Sequence, residues 1–203
     1  MIRRLLLAEL LVVMLSCSCG VAQEQVLPPR YAPFRIVLPP TPVRPGASAD
    51  IKIICAGGDC RPFLMPLQSG IGWEFGSGAN RFIIWMPEDR CGTYRFLAGC
   101  GNETREFELL SVPDPLKIQS LGISAPPVMR LGTNASVRVY ASMKDGRRVD
   151  VSDRTVGTSY AIMDASVAEL REDGTIHAAR VGRTTFGAEL FGFATSCDIE
   201  VVP

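Results

Sequence analysis

The sequence predicts an all-β chain: two β-sandwiches in tandem behind a cleaved N-terminal segment. Three observations carry this. Residues 166–202 alternate apolar and polar side chains with a period of two, broken by glycine-marked turns. Nineteen glycines and fifteen prolines fall mainly between such runs, as the many turns of a sandwich require. Beyond residue 20 no helix-period run of useful length occurs. The 203 residues suffice for two domains of roughly 90 residues each after processing.

The N-terminus reads as a targeting segment. Arg3 and Arg4 form a charged start and residues 5–15 an apolar core, too short for a membrane span, with Glu9 as an unusual interruption. Two exits compete. Gly20-Val21-Ala22 fits the small-residue rule for signal peptidase, which makes residues 1–22 the signal peptide and Gln23 the mature start. Met14-Leu15-Ser16-Cys17 resembles a lipobox, which ends the signal before Cys17 and makes that residue a lipidation site. An acylated Cys17 anchors the protein to a membrane; a free N-terminus does not.

Residues 23–112 form the first predicted domain. The proline-rich lead-in disfavours helix, and residues 34–38 form a first strand. Residues 49–55 alternate cleanly, residues 81–86 are more continuously apolar, and residues 92–97 and 104–112 close the set. Gly92-Thr93-Tyr94-x-Phe96 after Pro87-Glu88-Asp89 resembles the strand entry of Ig-like and PKD-like sandwiches. That resemblance implies a tyrosine corner at Tyr94 and Phe96 in place of a core cysteine. Either Trp73 or Trp85 fits a core tryptophan. Residues 113–115 are a short stiff linker.

Residues 116–203 form the second domain. Ala168 and Leu170 share one face, with Val167, Glu169 and Arg171 on the other. Asp173-Gly174 reverses the chain. Ile176 and Ala178 point inward and His177 outward, Gly182 marks a break, and Thr184, Phe186 and Ala188 resume the period. Upstream lie Leu131-Gly132, the strand 135–141 containing Val139, and a hairpin around Asp145-Gly146 with Asp150-Val151-Ser152. These spaced positions together resemble the bacterial Ig-like group 2 family, the intimin/invasin-type repeat. The resemblance implies an Ig-like sandwich, no catalysis, and a place in surface or secreted proteins as spacer or adhesive repeat. The family's frequent tryptophan is missing from residues 155–165, where Tyr160 can take its packing role.

Seven cysteines divide by region: Cys17 and Cys19 in the leader; Cys55, Cys60, Cys91 and Cys100 in the first domain; Cys197 alone in the second. Four in one exported domain suggest disulfides. Cys55–Cys60 closes a short glycine loop. Cys91–Cys100 requires a curled strand, because a straight one spans about 30 Å at ~3.3 Å per residue. Cys100 can pair with either Cys55 or Cys60. The x4 and x8 spacings do not suit zinc. Cys197, on an inward parity, reads as a buried free thiol.

The rest excludes more than it assigns. Charge is balanced, 21 basic against 21 acidic, and falls to 19 against 20 once Arg3, Arg4 and Glu9 are removed; the signs are interspersed, which disfavours nucleic acid. No nucleophile motif surrounds the single histidine. Asp145, Asp150, Asp153, Glu172 and Asp173 read as turn residues, and a calcium cage from the first three lacks an ordered ligand loop. The expected function is a non-catalytic, cofactor-free and metal-free exported envelope module that binds or spaces surface proteins or polysaccharide, touching membrane only through an N-terminal lipid. The alternatives are a lipoprotein accessory subunit, and a carbohydrate-active first domain using Trp73, Trp85 and Tyr31 on an exposed face.

Overall fold

The computed structural model describes residues 34–40, 42–56, 61–78 and 80–203. Residues 1–22, expected to be a signal peptide, with the lipidation candidate Cys17, and also Tyr31 and Cys60, lie outside the described residues. The chain is all-β, two Ig-like β-sandwiches in tandem.

In the first sandwich, β1 (Phe34–Val37), β2 (Ser48–Cys55), β4 (Gly72–Phe75) and β5 (Arg81–Trp85) form a sheet in the order β1-β2-β5-β4. It faces a second sheet of β3 (Pro62–Pro66), β6 (Gly92–Cys100) and β7 (Glu103–Ser111) in the order β3-β6-β7. The pairings between these strands are antiparallel, and Val43 adds a single parallel bridge to Ser111 of β7. This is the seven-strand, four-on-three order of an Ig constant-type domain. Alternation buries Ile51 and Ile53 of β2, Phe82 and Ile84 of β5, Phe96 of β6 and Leu109 of β7 completely. Phe96 stacks on Phe107 with ring centroids 5.2 Å apart.

Neither tryptophan is in this core: Trp73 is 38 % and Trp85 40 % exposed, and the phenylalanines fill the centre instead. β3 and β4 are strands the sequence pattern does not reveal. β3 is bounded by two prolines, and all four residues of β4 are exposed, so no alternation marks it.

Tyr94 sits near the start of β6, and its hydroxyl donates to the Arg90 carbonyl at 2.9 Å. That is tyrosine-corner geometry, and it satisfies a half-buried hydroxyl while fixing the β5–β6 turn. Tyr94→Phe removes the bond and leaves the Arg90 carbonyl without its partner. The expected loss is about 1–2 kcal/mol, read as a lower urea midpoint at unchanged slope.

A disulfide joins Cys55, the last residue of β2, to Cys100, the last of β6, with Cα atoms 6.1 Å apart. It ties the two sheets together at one end. Cys91, also a disulfide candidate, is instead a buried free thiol. The reason is the course of β6, which runs uncurled from Gly92 to Cys100 and keeps Cys91 at the opposite end of the sandwich.

The second sandwich contains β8 (Ile118–Ser124), β9 (Val128–Arg130), β10 (Asn134–Ser136), β11 (Arg138–Met143), β12 (Arg148–Asp150), β13 (Ser159–Ile162), β14 (Ala168–Leu170), β15 (Thr175–Ala178), β16 (Gly182–Leu190) and β17 (Phe193–Val202). β10 and β11 are separated only by Val137. The first pairs with β15 and through it β14; the second pairs with β8 and β12. The facing sheet runs β13-β16-β17-β9, with β9 parallel to β17.

Val139, Ala168, Ile176, Ala178 and Phe186 are fully buried; Ala188 is buried too, and Leu170 is half-buried. Gly174 and Gly182 take positive φ at the breaks. The buried Thr184 hydroxyl accepts from the Asp164 amide at 2.9 Å. Val167, expected on the outer face, is buried. It lies in the turn before β14, where its amide bonds Asp164 and its carbonyl accepts from Ala179 and Arg180, so strand parity does not govern it. Cys197 is free as expected but only half-buried, like Phe193 and Thr195 on the same face of the first half of β17. His177 is outward and bonds Asn134 at 2.8 Å. Tyr160 packs 5.6 Å from Phe186, and its hydroxyl donates to the Ser152 carbonyl at 2.5 Å.

Candidate functional site

The most constrained place in the molecule is the junction of the two sandwiches. Asp114 caps a one-turn 3-10 helix, Pro115–Lys117, by accepting from the Leu116 amide at 3.1 Å. Arg44 donates to the carbonyls of Val112, at 3.3 Å, and Pro113, at 2.8 Å. These bonds hold the connection itself.

The larger restraint comes from the β5–β6 turn of the first sandwich, which docks against β12 of the second. The Cys91 amide donates to the Asp150 carbonyl at 2.8 Å, and the Asp150 amide to the Asp89 carbonyl at 2.7 Å. This is a two-bond β-bridge between domains. Next to it the Asp153 carboxylate caps a second 3-10 turn, Arg154–Val156, and accepts from the Thr93 amide at 3.3 Å. Beneath these bonds Cys91 and Val112 are buried among Ile118, Val149, Val151 and Val156 of the second domain. Fully burying one such valine contributes about 1.5–3 kcal/mol. Gly92, with φ +144°, makes the approach possible: a Cβ there would stand 2.6 Å from Asp153 Oδ2.

An open cleft of about 490 Å³ lies beside this junction, lined by Arg90, Arg138, Asp150, Asp153, Arg154 and Tyr160 among others. Its carboxylates are engaged locally. Asp150 accepts from the Ser152 amide and hydroxyl, and Asp153 from the Thr155 amide and hydroxyl as well as Thr93. Asp145 is held below the usual carboxylate range first by the Arg147 amide, and Asp173 by the Thr175 hydroxyl. Asp145, Asp150, Asp153 and Asp173 therefore act as turn caps. Among the described residues no three His, Cys, Asp or Glu side chains converge on a metal position.

The exposed tryptophans do not make one sugar platform. In register, Trp73 lies opposite Ile84 and Trp85 opposite Gly72, and Ile84 is buried while Trp85 is exposed. The alternation of a strand thus sends the two indoles to opposite faces of the sheet.

Burial pushes the Cys91 thiol up from 9.0 to about 12, and the Tyr94 and Tyr160 phenols up from 10.0 to about 12. The fold holds all three protonated where the unfolded chain ionises them. Their contribution is complete below about pH 9 and is lost as pH rises toward 12. Urea midpoints should fall steadily between pH 9 and 11, and Cys91→Ala should flatten the early part of that decline. At pH 8 an alkylating reagent should modify Cys197 long before Cys91.

No family model and no curated relative matches the chain. Among solved structures it is similar to domains 5–6 of the S-layer protein SbsC, at 13 % identity and TM-score 0.33, covering 80 % of this chain and 92 % of that one. It is similar to the Yersinia pseudotuberculosis adhesin InvE, at 9 % identity and TM-score 0.35, covering 83 % of this chain and 59 % of that one. The D00-D0 domain of Intimin gives 14 % identity and TM-score 0.32, covering 83 % of this chain and all of that one. At these scores the architecture rests on the chain's own strand order.

Proposed function

We propose that this chain is a non-catalytic, exported cell-envelope module, two Ig-like sandwiches fastened end to end that space or present other surface components. The observation that carries the reading is the junction. A β-bridge, a capping carboxylate and a shared apolar core hold the two sandwiches as one rod. A spacer must keep length and direction, and such a junction does that. The Cys55–Cys100 bond supports an oxidising compartment. The resemblance of residues 116–203 to the bacterial Ig-like group 2 family supports placing that half in the same class of surface repeats. The partner is a surface protein or polysaccharide.

Expressed with its leader in a bacterial cell, the protein should be recovered outside the cytoplasm with Cys55 and Cys100 resistant to alkylation until reduced. Recovery in the cytoplasm with both thiols alkylated would contradict the proposal.

A further inference from the structure

In both sandwiches an early segment of the chain runs parallel to the last strand and bonds to it. In the first, the Val43 amide donates to the Leu110 carbonyl at 2.9 Å, and the Val112 amide donates to the Val43 carbonyl at 3.0 Å. These bonds set Val43 beside Ser111 at the end of β7. In the second, β9 lies along the end of β17, from Val128 against Glu200 to Arg130 against Val202. The Glu200 amide donates to the Pro127 carbonyl at 2.9 Å and the Leu131 amide to the Val202 carbonyl at 2.8 Å. The other strand pairings within each sandwich are antiparallel.

The strand directions decide how a load acts on these pairs. Phe34 opens β1 opposite Cys55, at the disulfide end of the first sandwich, and β7 leaves through Val112 in the junction core. In the second sandwich Ile118 and Leu190 belong to the junction core, whereas Met129 and Val201 belong to the core beyond it. β17 starts opposite Leu190 and reaches Val201 opposite Gly182, so it runs outward from the junction. A pull on the two ends of the rod therefore draws Val43 and Ser111 in opposite directions along their strands. It does the same to β9 and β17. Ladder bonds lie across the strands, so this pull shears them, and they share the load instead of opening one at a time.

We propose that these parallel pairs are tension clamps, and that the rod bears a pull along its length in two graded stages. The clamps are unequal. The first sandwich holds by a single bridge, the second by a ladder of three residue pairs. The strand before each clamp follows the same order: β1 makes four pairs with β2, and β8 makes six with β11. Arg44 braces the first clamp through the Val112 and Pro113 carbonyls, on a long side chain that can follow the strands as they slide. The first sandwich is therefore the one that yields first, and it is the one the disulfide closes. Cys55 and Cys100 are 45 positions apart, and their bond keeps that stretch out of the extension. Only the outer segments, 34–55 and 100–112, are released. The inference rests on the spacer reading, since a rod carries load only when it joins components at both ends. Weak clamps would leave the spacer in the envelope, while a cytoplasmic chain would remove the spacer and leave the forces as they are.

Single-molecule stretching of the oxidised protein between handles at its two ends should show a short step, then a long step at higher force. Reduction should lengthen the first step by about 150 Å, because 45 residues at ~3.3–3.6 Å each join the extension, and that identifies it as the first sandwich. Val43→Pro removes the amide bond to Leu110, one of two in the bridge, and should lower the force of that step by about half with the second step unchanged. Because that variant could perturb folding, the unchanged protein is also pulled with the second handle moved to Asn102, in the β6–β7 turn. Both handles then sit at the same end of the first sandwich. β1 peels from β2 one bond at a time, and the force should drop severalfold. A long step before the short one, an unchanged force in Val43→Pro, or equal forces in the two pulling directions would each overturn the proposal.

Discussion

The double variant Cys55→Ala/Cys100→Ala is expected to lose about 4 kcal/mol of stability in the first sandwich. The bond closes a loop with a sequence separation of 45 residues. Constraining a loop of that length in the unfolded chain is worth about 4 kcal/mol in the chain-entropy model. Domains of this size carry about 5–15 kcal/mol in total, so the variant leaves the first sandwich marginal. The second sandwich contains no disulfide among its described residues, and its core is unaffected. Both tryptophans of the chain, Trp73 and Trp85, belong to the first sandwich. Their fluorescence therefore reports that domain alone. Urea titration should show the fluorescence midpoint falling sharply in the variant. A midpoint within experimental error of the unchanged protein would show that the bond contributes nothing to the fold.

Gly92→Val should loosen the junction while leaving each sandwich folded. The new Cβ would meet Asp153 Oδ2 at 2.6 Å, and valine is strained at φ +144°. The two effects together should cost about 2–4 kcal/mol. They separate in a double-mutant cycle. Asp153→Ala clears the space and should recover the steric part of the loss, while the backbone strain persists. Additive effects of the two substitutions would mean that Gly92 and Asp153 do not meet across the junction.

What the sequence reveals follows the physics of each element. The strands β2, β5, β6, β7, β15 and β16 alternate or run apolar because one or both of their faces are covered, and they are legible for that reason. Tyr94 is legible because a tyrosine at a strand entry two residues before a core aromatic has a recognisable spacing. β3 and β4 are silent because they are short edge strands: one is framed by prolines, and the other buries none of its residues. Val167 misleads because it belongs to a turn, and period-two parity holds only within a strand.

The junction is the least legible part. Gly92 reads as an ordinary strand start and Asp153 as an ordinary turn residue. Nothing in either neighbourhood signals that they meet 61 positions apart in sequence, across two domains. Cys91 misleads for the same reason. Counting cysteines within one domain pairs it with its neighbours, while the fold buries it in a core shared with the next domain. Local pattern encodes each sandwich, and the contact between them depends on which loops the topology brings to the same end.

The β-bridge and the shared apolar core hold the two sandwiches in one fixed relative orientation. Residual dipolar couplings of backbone amides, measured on the protein in dilute aligned medium, report that orientation. One alignment tensor should fit the strands of both sandwiches together in the arrangement described. Gly92→Val should then split the fit into two tensors of different magnitude. Two distinct tensors in the unchanged protein would mean that the sandwiches move independently.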